Sequence, residues 1–293
     1  MGLGDWLHKK EDTSAAAPAA REKTMEEKAR AVYEEVQRET LSPVITISLS
    51  DGDPGLCASK FGGLPYLPRN GEPPKSEDGR VLRLLAQING RDLPANSGWP
   101  CPGLLQFWVL DDDCTGLDFD NPISQKDSRV LYYEEVDSSV TEEEVREKYH
   151  PFGEEDSYFP VQGAFSLSFE AGQEGMSSGD FRFDQHFTAC WNRRYPQDPM
   201  EHWFHLPEEA TEPFLGEDNG FGHKCLGYPG FTQEDPRYEG HFQNYRLLFQ
   251  MDSAGTEDQE IMWGDAGICN FFIAPEDLEN KDFRRVLYNW DCY

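Results

Sequence analysis

The sequence predicts a mainly β protein made of duplicated antiparallel sheet units, with an N-terminal amphipathic helix and few short helices. Two observations support this fold class. After residue 43, apolar and polar residues alternate with a period near two, which is typical of half-buried strands. Four short phrases also recur in the same order in the two halves of the chain. The 26 glycines and 20 prolines supply the turns that many short strands need.

The first predicted elements are a tail, a helix and a strand. Residues 11–22 are small and of low complexity, which is typical of a linker or tail. Four apolar residues then recur at steps of four, three and four: Met25, Ala29, Val32 and Val36. This spacing predicts an amphipathic helix over residues 23–40, which ends before Pro43. Residues 44–50 (VITISLS) alternate as a half-buried strand.

Two further short helices interrupt the strand pattern. Thr141 is followed three residues later by Glu144, a capping-box pattern that predicts a helix within residues 141–150. Residues 275–283 (PEDLENKDF) place a proline at a helix start and acidic residues in the first turn.

The repetition concerns four phrases in each half. The first half contains SKFGGLPYLP (59–68), RLLAQIN (83–89), GLLQFWVL (103–110) and RVLYYEEV (129–136). The second half contains HKCLGYPGF (223–231), RLLFQMD (246–252), GICNFFIA (267–274) and RVLYNWDC (285–292). Recurrence of four phrases in order predicts an internal duplication, in which two small sheets bury one face against each other.

The repeats define the predicted domain organisation. Residues 1–42 form an N-terminal tail and helix, and residues 43–293 form one domain. Within that domain, repeats over about 56–137 and 221–293 are joined by a connecting insertion over 138–220.

Each predicted central strand carries a glutamine among apolar residues. Strict alternation places Gln87 on the same face as Leu85, with Leu84, Ala86 and Ile88 on the other face. In the second repeat it places Gln250 with Leu248, opposite Leu247, Phe249 and Met251. A buried amide must be hydrogen bonded, so each glutamine either cross-links neighbouring loops or contacts a ligand.

Charge and composition restrict the partners and the compartment. With 55 acidic and 26 basic residues the net charge is −29, which disfavours nucleic acid and anionic membrane and leaves a basic peptide or protein segment as a possible partner. No stretch approaches the about 20 apolar residues of a membrane helix. Seven cysteines, an odd number without a C-x-x-C pair, favour reduced thiols over a disulfide framework or zinc. A cytoplasmic protein is therefore expected.

Several long phrases carry a resemblance to a known family: FGGLPYLP, LLAQIN, GLLQFWVLDDDCTGLDFDNP, LGYPGFTQEDPR and IMWGDAGICNFFIAPEDLENKDFRRVLYNWDCY. From about Phe61 to Tyr293 the chain resembles the YwqG-like family, a bacterial domain of unknown function. This resemblance implies a mainly β, roll-like fold of two similar halves, and it brings no catalytic residues. LLFQMD followed by WGDAG is more remotely similar to the C-terminal part of the programmed-cell-death-protein-2 family. Those eukaryotic proteins act as chaperones for a ribosomal protein, which implies a chaperone-like role.

The stretch MWGDAG (262–267) is the most unusual candidate site. Trp263 could act as an apolar platform and Asp265 as the acceptor for a peptide or cationic group. Alternatively, the stretch is a turn in which the aspartate bonds its own backbone. The candidate ligand-binding set combines these two residues with the polar residues of the neighbouring strands: Trp263, Asp265, Gln250, Asp252, Gln87 and Asn270.

The sequence patterns that would indicate a metal site, a nucleophile or a nucleotide site are weaker. Residues 111–122 begin like a calcium loop but have Pro122 where the bidentate glutamate belongs, so a strand connection tied by Asp118 and Asp120 is expected instead. His202 and His205 lack a third metal ligand at a recognisable spacing. No nucleophile or nucleotide-binding signature is present, so neither cofactor nor metal is expected. The favoured function is a non-catalytic, chaperone-like binding module, and the alternative is a hydrolase using carboxylates such as Asp252 and Asp265.

Overall fold

Ten strands form one antiparallel sheet that is nearly closed. The computed structural model describes residues 21–150, 157–215, 220–238 and 240–293; the first twenty residues, with most of the expected linker, lie outside the described residues. The strands are β1 Ser42–Asp51, β2 Lys60–Gly62, β3 Arg83–Asn89, β4 Leu104–Val109, β5 Ser128–Tyr133, β6 Ala164–Glu174, β7 Lys224–Leu226, β8 Arg246–Asp252, β9 Ile268–Ile273 and β10 Leu287–Asp291. Their order across the sheet is β10-β9-β8-β7-β1-β6-β2-β3-β4-β5. The mainly β prediction is confirmed.

The repeated phrases occupy two four-stranded units with the same internal order, β2–β5 and β7–β10. Lys60 pairs with Gln87 between β2 and β3, and Lys224 pairs with Gln250 between β7 and β8. Strands β1 and β6 lie side by side between the units, β1 against β7 and β6 against β2. Because β6 belongs to residues 138–220, the expected connecting insertion contributes one of the two central strands.

A β-bulge at the same place in both units changes the predicted faces. The register shifts between Leu84 and Ala86 in β3, and between Leu247 and Phe249 in β8. The extra residue lets Leu85 join Ala86 and Ile88 in the inner core, whereas Leu84 packs outside with Trp108. Strict alternation was therefore wrong in placing Leu85 with Gln87, because a bulge opposes two residues to one and breaks the period of two.

The second unit shows the same departure. Leu248, Phe249 and Met251 lie in the inner core, and Leu247 packs on the outer side. The expected grouping of Leu248 with Gln250 was wrong for the same physical reason.

The inner faces of the two units pack against each other. The ring of Phe107 in β4 lies 4.6 Å from that of Phe249 in β8 and 4.8 Å from that of Phe271 in β9. Phe61 in β2 adds an edge contact to Phe249 at 5.7 Å. Such aromatic pairs contribute about 0.5–1.5 kcal/mol each beyond the area they bury, so they hold the sheet in its curled shape.

On the outer face of the first unit, Gln87 fixes the glycine- and proline-rich loop. Its Nε2 donates to the carbonyls of Leu56 and Ala58 at 2.9 and 2.8 Å. Its Oε1 accepts from the Tyr66 N–H at 2.9 Å and from the Gln106 amide at 2.8 Å. The fully buried side-chain amide of Gln87 therefore gives the backbone groups of this loop the hydrogen bonds that a neighbouring strand would otherwise provide.

Gln250 makes the corresponding bonds in the second unit. Its Nε2 donates to the carbonyls of Gly220 and Gly222, both at 2.8 Å, and its Oε1 accepts from the Gly230 N–H at 2.9 Å. Gly220, Gly222 and Gly230 stand at the same offsets from Lys224 as Leu56, Ala58 and Tyr66 do from Lys60. Of the two predicted roles for the glutamines, the structure shows the cross-linking of loops.

A buried lysine in each unit is held by a carboxylate from the central strands. Lys60 bonds Asp53, which follows β1, and the Leu64 carbonyl, while Asp53 also accepts from the Leu64 N–H. Burial lowers the pKa of Lys60, and the bond to Asp53 opposes this effect. The bonded carboxylate offsets part of the free-energy cost of burying the ammonium group.

In the second unit Lys224 lies 3.1 Å from both carboxylate oxygens of Glu174, the last residue of β6, and Glu174 accepts from the Tyr228 N–H at 2.6 Å. A carboxylate at the end of β6, or just beyond the end of β1, therefore fixes the start of each unit.

Three helices form a layer beside the sheet: α1 Met25–Glu39, α3 Phe183–Arg194 and α4 Glu208–Leu215. The N-terminal helix was predicted, and Thr24 with Glu27 forms its capping box. The two short predicted helices are also present, as α2 Glu142–Arg146 and α5 Pro275–Glu279. No helix among the described residues has the length and apolarity needed to cross a membrane.

The sequence reading missed α3 and α4, because it expected a period near two between the predicted helices. The buried residues of α3 recur at helical steps: Phe183, Phe187, Cys190 and Trp191. This spacing is a helical signal that could have identified α3. In α4, Pro213 lies inside the helix and weakens the corresponding signal.

We expect Gln87→Ala and Gln250→Ala to lower the free energy of unfolding by about 2–4 kcal/mol each, because each change leaves two loop carbonyls and at least one loop N–H without their partner. Urea denaturation followed by tryptophan fluorescence measures this loss. Gln185→Ala, on the exposed side of α3, is the matched control and should change stability by less than about 0.5 kcal/mol. Losses equal to that of the control would contradict the cross-linking role.

Candidate functional site

The MWGDAG stretch does not present an exposed tryptophan. Trp263 is only 1% exposed and belongs to the inner core, with its ring 6.0 Å from that of Trp290. This burial corrects the prediction that Trp263 offers an exposed apolar platform, because the indole lies inside the curled sheet. Asp265 is exposed, and the Gly267 N–H closes the turn by donating to the Trp263 carbonyl at 2.7 Å.

The other candidate residues are engaged in holding loops. Gln87, Gln250 and Asn270 are fully buried, and Asn270 donates to the Gly230 carbonyl at 2.9 Å. The two carboxylate oxygens of Asp252 accept from the N–H groups of Gly222 and Ser253 at 2.8 and 2.7 Å. None of the six candidate residues lines either of the two grooves described next.

One groove, of about 570 Å³, runs along the edge strand β10, and we call it the acidic groove. Its carboxylates are Asp118, Glu234 and Asp291, and its aromatic side chains are Phe119 and Trp290. The ring of Phe119 is 78% exposed, whereas the indole Nε1 of Trp290 donates to the Cys114 carbonyl at 2.8 Å. The groove therefore combines an exposed aromatic ring with a fixed one among negative charges.

The loop that carries Phe119 is shaped by Asp118, as expected for a strand connection. One carboxylate oxygen of Asp118 accepts from the N–H groups of Asp120 and Asn121, and the other accepts from the Ser124 hydroxyl at 2.7 Å. The Ser124 hydrogen bond, with help from these N–H groups, lowers the pKa of Asp118. These hydrogen bonds therefore favour the ionised form of the carboxylate beside Phe119.

The same loop covers part of the β10 edge. The Tyr288 N–H donates to the Pro122 carbonyl at 3.0 Å, so the backbone of Tyr288 faces away from β9. In an antiparallel strand the backbone groups two residues on point to the same side, so those of Trp290 also face outward, into the acidic groove.

The opposite wall of the acidic groove is fixed by buried charges. Asp291 accepts from the Thr232 N–H and hydroxyl at 3.0 and 2.7 Å. Arg237 is 1% exposed, bonds Asp235 and Asp180, and lies over the Phe272 ring at 4.5 Å from its centroid. Glu234 and Pro236, which line the groove, flank Asp235 in the chain, so this buried ion pair holds them in place.

A second groove, of about 890 Å³, lies along the other edge strand, β5, and we call it the basic groove. Five cationic side chains line it: Lys75, Lys126, Arg129, Lys281 and Arg284. Glu77 and Asp282 are its acidic lining residues. The sequence reading missed both grooves, because their residues come from separate loops that meet only where the sheet ends.

One group of side chains that link α1 and α3 has the spacing of a possible metal site. The ligand atoms of Glu35, Glu39 and Cys190 lie within 4.8 Å of one another, but Arg193 donates to both carboxylates at 2.5 and 2.6 Å. The hydrogen bond from Arg193 lowers the pKa of each of these glutamates, and Arg194 also donates to Glu35 at 2.8 Å, so two arginines balance the two carboxylates. These residues are therefore a helix-linking ion pair.

Asp127, a carboxyl with a raised pKa, lies in the first unit, whereas Asp252 and Asp265, the pair named for hydrolysis, lie in the second. Burial, then the charge of Asp112, raises the pKa of Asp127, which directly precedes β5. Asp252 ends β8 and Asp265 precedes β9, both in the second unit. Asp127 is therefore separate from the pair named for hydrolysis.

Comparison with protein families identifies the family to which most of this chain corresponds. A family model described as Domain of unknown function (DUF1963) matches residues 59–292. The matched region contains both four-stranded units and β6, and it leaves out α1 and β1. No curated protein matches the chain.

The buried ion pair behind the acidic groove predicts a pH dependence. Burial would raise the pKa of Asp180, but hydrogen bonds from Arg182 and the charge of Arg237 lower it below the ordinary value of 3.8. Its contribution to stability is therefore present above that value and is lost as the pH falls through the lower folded-state pKa. Asp180→Asn should cost about 3–5 kcal/mol at pH 7, and the difference from wild type should shrink towards pH 3.

Urea denaturation of both proteins between pH 7 and pH 3 measures this difference. Asp258→Asn, at an exposed aspartate, is the control and should follow wild type at every pH. A loss of stability in Asp180→Asn that stayed constant down to pH 3 would contradict the assigned charge state.

Proposed function

The chain belongs to the DUF1963 family, a domain of unknown function, and we propose that it is a non-catalytic, chaperone-like module that binds a basic peptide or protein segment in the acidic groove. The observation that carries this proposal is the arrangement of Phe119, Trp290 and three carboxylate side chains along an edge strand. Lysine and arginine side chains match such a surface, because their alkyl stems pack on aromatic rings and their charged ends meet carboxylates.

Charge supports a basic partner at two levels. In the groove, Glu234 is exposed, and the Ser124 hydrogen bond lowers the pKa of Asp118. Over the whole chain the net charge of −29 attracts cations from a distance and raises the rate of encounter. Binding should accordingly weaken as salt is added.

The aromatic side chains support selectivity for cationic segments with apolar stems. An arginine or lysine placed over an exposed ring gains about 0.5–1 kcal/mol from the cation–π attraction. Phe119 offers such a ring, and the fixed indole of Trp290 offers a second surface in the same groove. The outward backbone of Trp290 adds a peptide-like donor and acceptor for a bound main chain.

The proposal also covers the narrower family, the origin of the two units and the cellular location. We infer that the chain is a YwqG-like protein, from the phrases that resemble that family, and that its two units arose by internal duplication. The shared strand order, register and bulge support the duplication. The chaperone-like role is supported by the remoter resemblance of LLFQMD and WGDAG, and the cytoplasmic location by the seven cysteines.

The test uses a short fluorescein-labelled peptide of alternating arginine and leucine and a counterpart with glutamate in place of arginine. Fluorescence anisotropy should show binding of the basic peptide that depends on the residues of the acidic groove, whereas any binding of the acidic counterpart should not depend on them. Phe119→Ala and Glu234→Gln should each weaken the basic peptide about 3- to 10-fold, because they remove a cation–π contact and a counter-charge.

Two matched variants control for general surface effects. Phe204→Ala removes another exposed aromatic ring (61% exposed), and Glu257→Gln neutralises another exposed acid; both should bind as wild type does. Equal affinity of wild type and the groove variants would overturn the proposal. Mass spectrometry of the recovered peptide separates it from the hydrolase alternative at Asp252 and Asp265, since a binding module returns the peptide intact.

A further inference from the structure

The free edge of β5 opens into the basic groove. The Leu110 N–H donates to the Asp127 carbonyl at 2.8 Å, which fixes the alternation of the β4–β5 ladder. By that alternation the backbone groups of Val130 and Tyr132 point away from β4. The Val130 N–H confirms this direction, because it donates to the side chain of Gln125 at 2.8 Å.

Gln125 already mimics the first residue of an added strand. Its Oε1 accepts from the Val130 N–H, and its Nε2 donates to the Phe283 carbonyl at 2.5 Å. The side-chain amide thus stands where the peptide group of a neighbouring strand would stand. Beyond it, the Val130 carbonyl and the N–H and carbonyl of Tyr132 face the groove, and no strand of the described residues pairs with them, since β5 is at the end of the sheet.

The charge of the groove selects the partner. Lys126, Lys281 and Arg284 are each paired with an acid, namely Glu77, Glu134 and Asp282.

Lys75 and Arg129 have no carboxylate partner in the ranges that the structure describes. The guanidinium of Arg129 makes only long contacts to the Ser128 and Lys75 carbonyls, at 3.4 and 3.5 Å. In a chain of net charge −29, these two cations beside an open strand edge favour acidic side chains on an incoming segment.

We propose that the basic groove binds an extended acidic segment of a partner protein, which adds to the sheet as a strand beside β5. Its backbone bonds Val130 and Tyr132, and its alternate acidic side chains meet Arg129 and Lys75. The rings of Tyr132 and Phe283, 5.6 Å apart, supply an apolar floor for the side chains between them. The backbone bonds favour a peptide over nucleic acid or polyphosphate, which carry negative charge without a peptide ladder.

The probe is a fluorescein-labelled peptide of alternating glutamate and valine. Its matched control has the same sequence with N-methyl groups on alternate peptide nitrogens, which removes backbone donors and keeps the charge. We expect the N-methylated peptide to bind about 10-fold more weakly, the effect of losing one or two hydrogen bonds. Hydrogen exchange followed by NMR should slow at the Tyr132 amide when the unmodified peptide is bound.

Substitutions of charged residues test which of them contribute to binding of the acidic peptide. Arg129→Gln combined with Lys75→Gln should weaken the acidic peptide about 10-fold, whereas Arg91→Gln, at an exposed arginine outside the groove, should not. Phe119→Ala should leave this affinity unchanged, so the result is independent of the acidic groove.

Three outcomes would overturn the proposal: no binding of the acidic peptide, equal affinity of the N-methylated peptide, or equal affinity for a polyphosphate of the same charge.

Discussion

The outer surface of this protein depends on two buried glutamine side chains. The glycine- and proline-rich loops that cover each unit turn too sharply to form a ladder with β3 or β8, so their backbone groups need other partners. Gln87 and Gln250 supply them, each with two donated bonds and at least one accepted bond to the loop. The loops in turn form a wall of each groove. The connections that reach the two grooves are thus anchored by amides that solvent does not reach.

The recurrence of phrases along the chain was a reliable guide to the sheet, because residues at matching places in the two phrases occupy matching places in the ladder. Lys60 with Gln87 and Lys224 with Gln250 show this directly. The bulge was not predictable from alternation: Leu84 and Leu85, like Leu247 and Leu248, are apolar and buried on opposite faces. When both faces of a strand are buried, apolar and polar residues no longer alternate, so the sequence does not show where the extra residue is inserted.

The candidate site was harder to predict for a different reason. A tryptophan flanked by glycine resembles an exposed turn residue, yet curling of the sheet buries Trp263 against Trp290. Conversely, Phe119 lies in the stretch that resembles a calcium loop and Arg129 opens a repeated strand phrase, and their places in the two grooves arise from the edges β10 and β5 that they flank. Tertiary position at a sheet edge is not encoded in any local window of the sequence. The two units therefore share a frame, while their edges differ in charge through the loops attached to them.

The side chain of Gln125 has a consequence for solubility. An open strand edge is a template on which further copies of a chain can stack into fibres, and proteins need some means of interrupting it. Gln125 adopts a left-handed backbone conformation, with φ of 49°, and its amide occupies one position of the edge. A short guest can still lie on the remaining positions, whereas a long strand from another molecule meets an obstruction, so the edge admits recognition while resisting uncontrolled polymer growth.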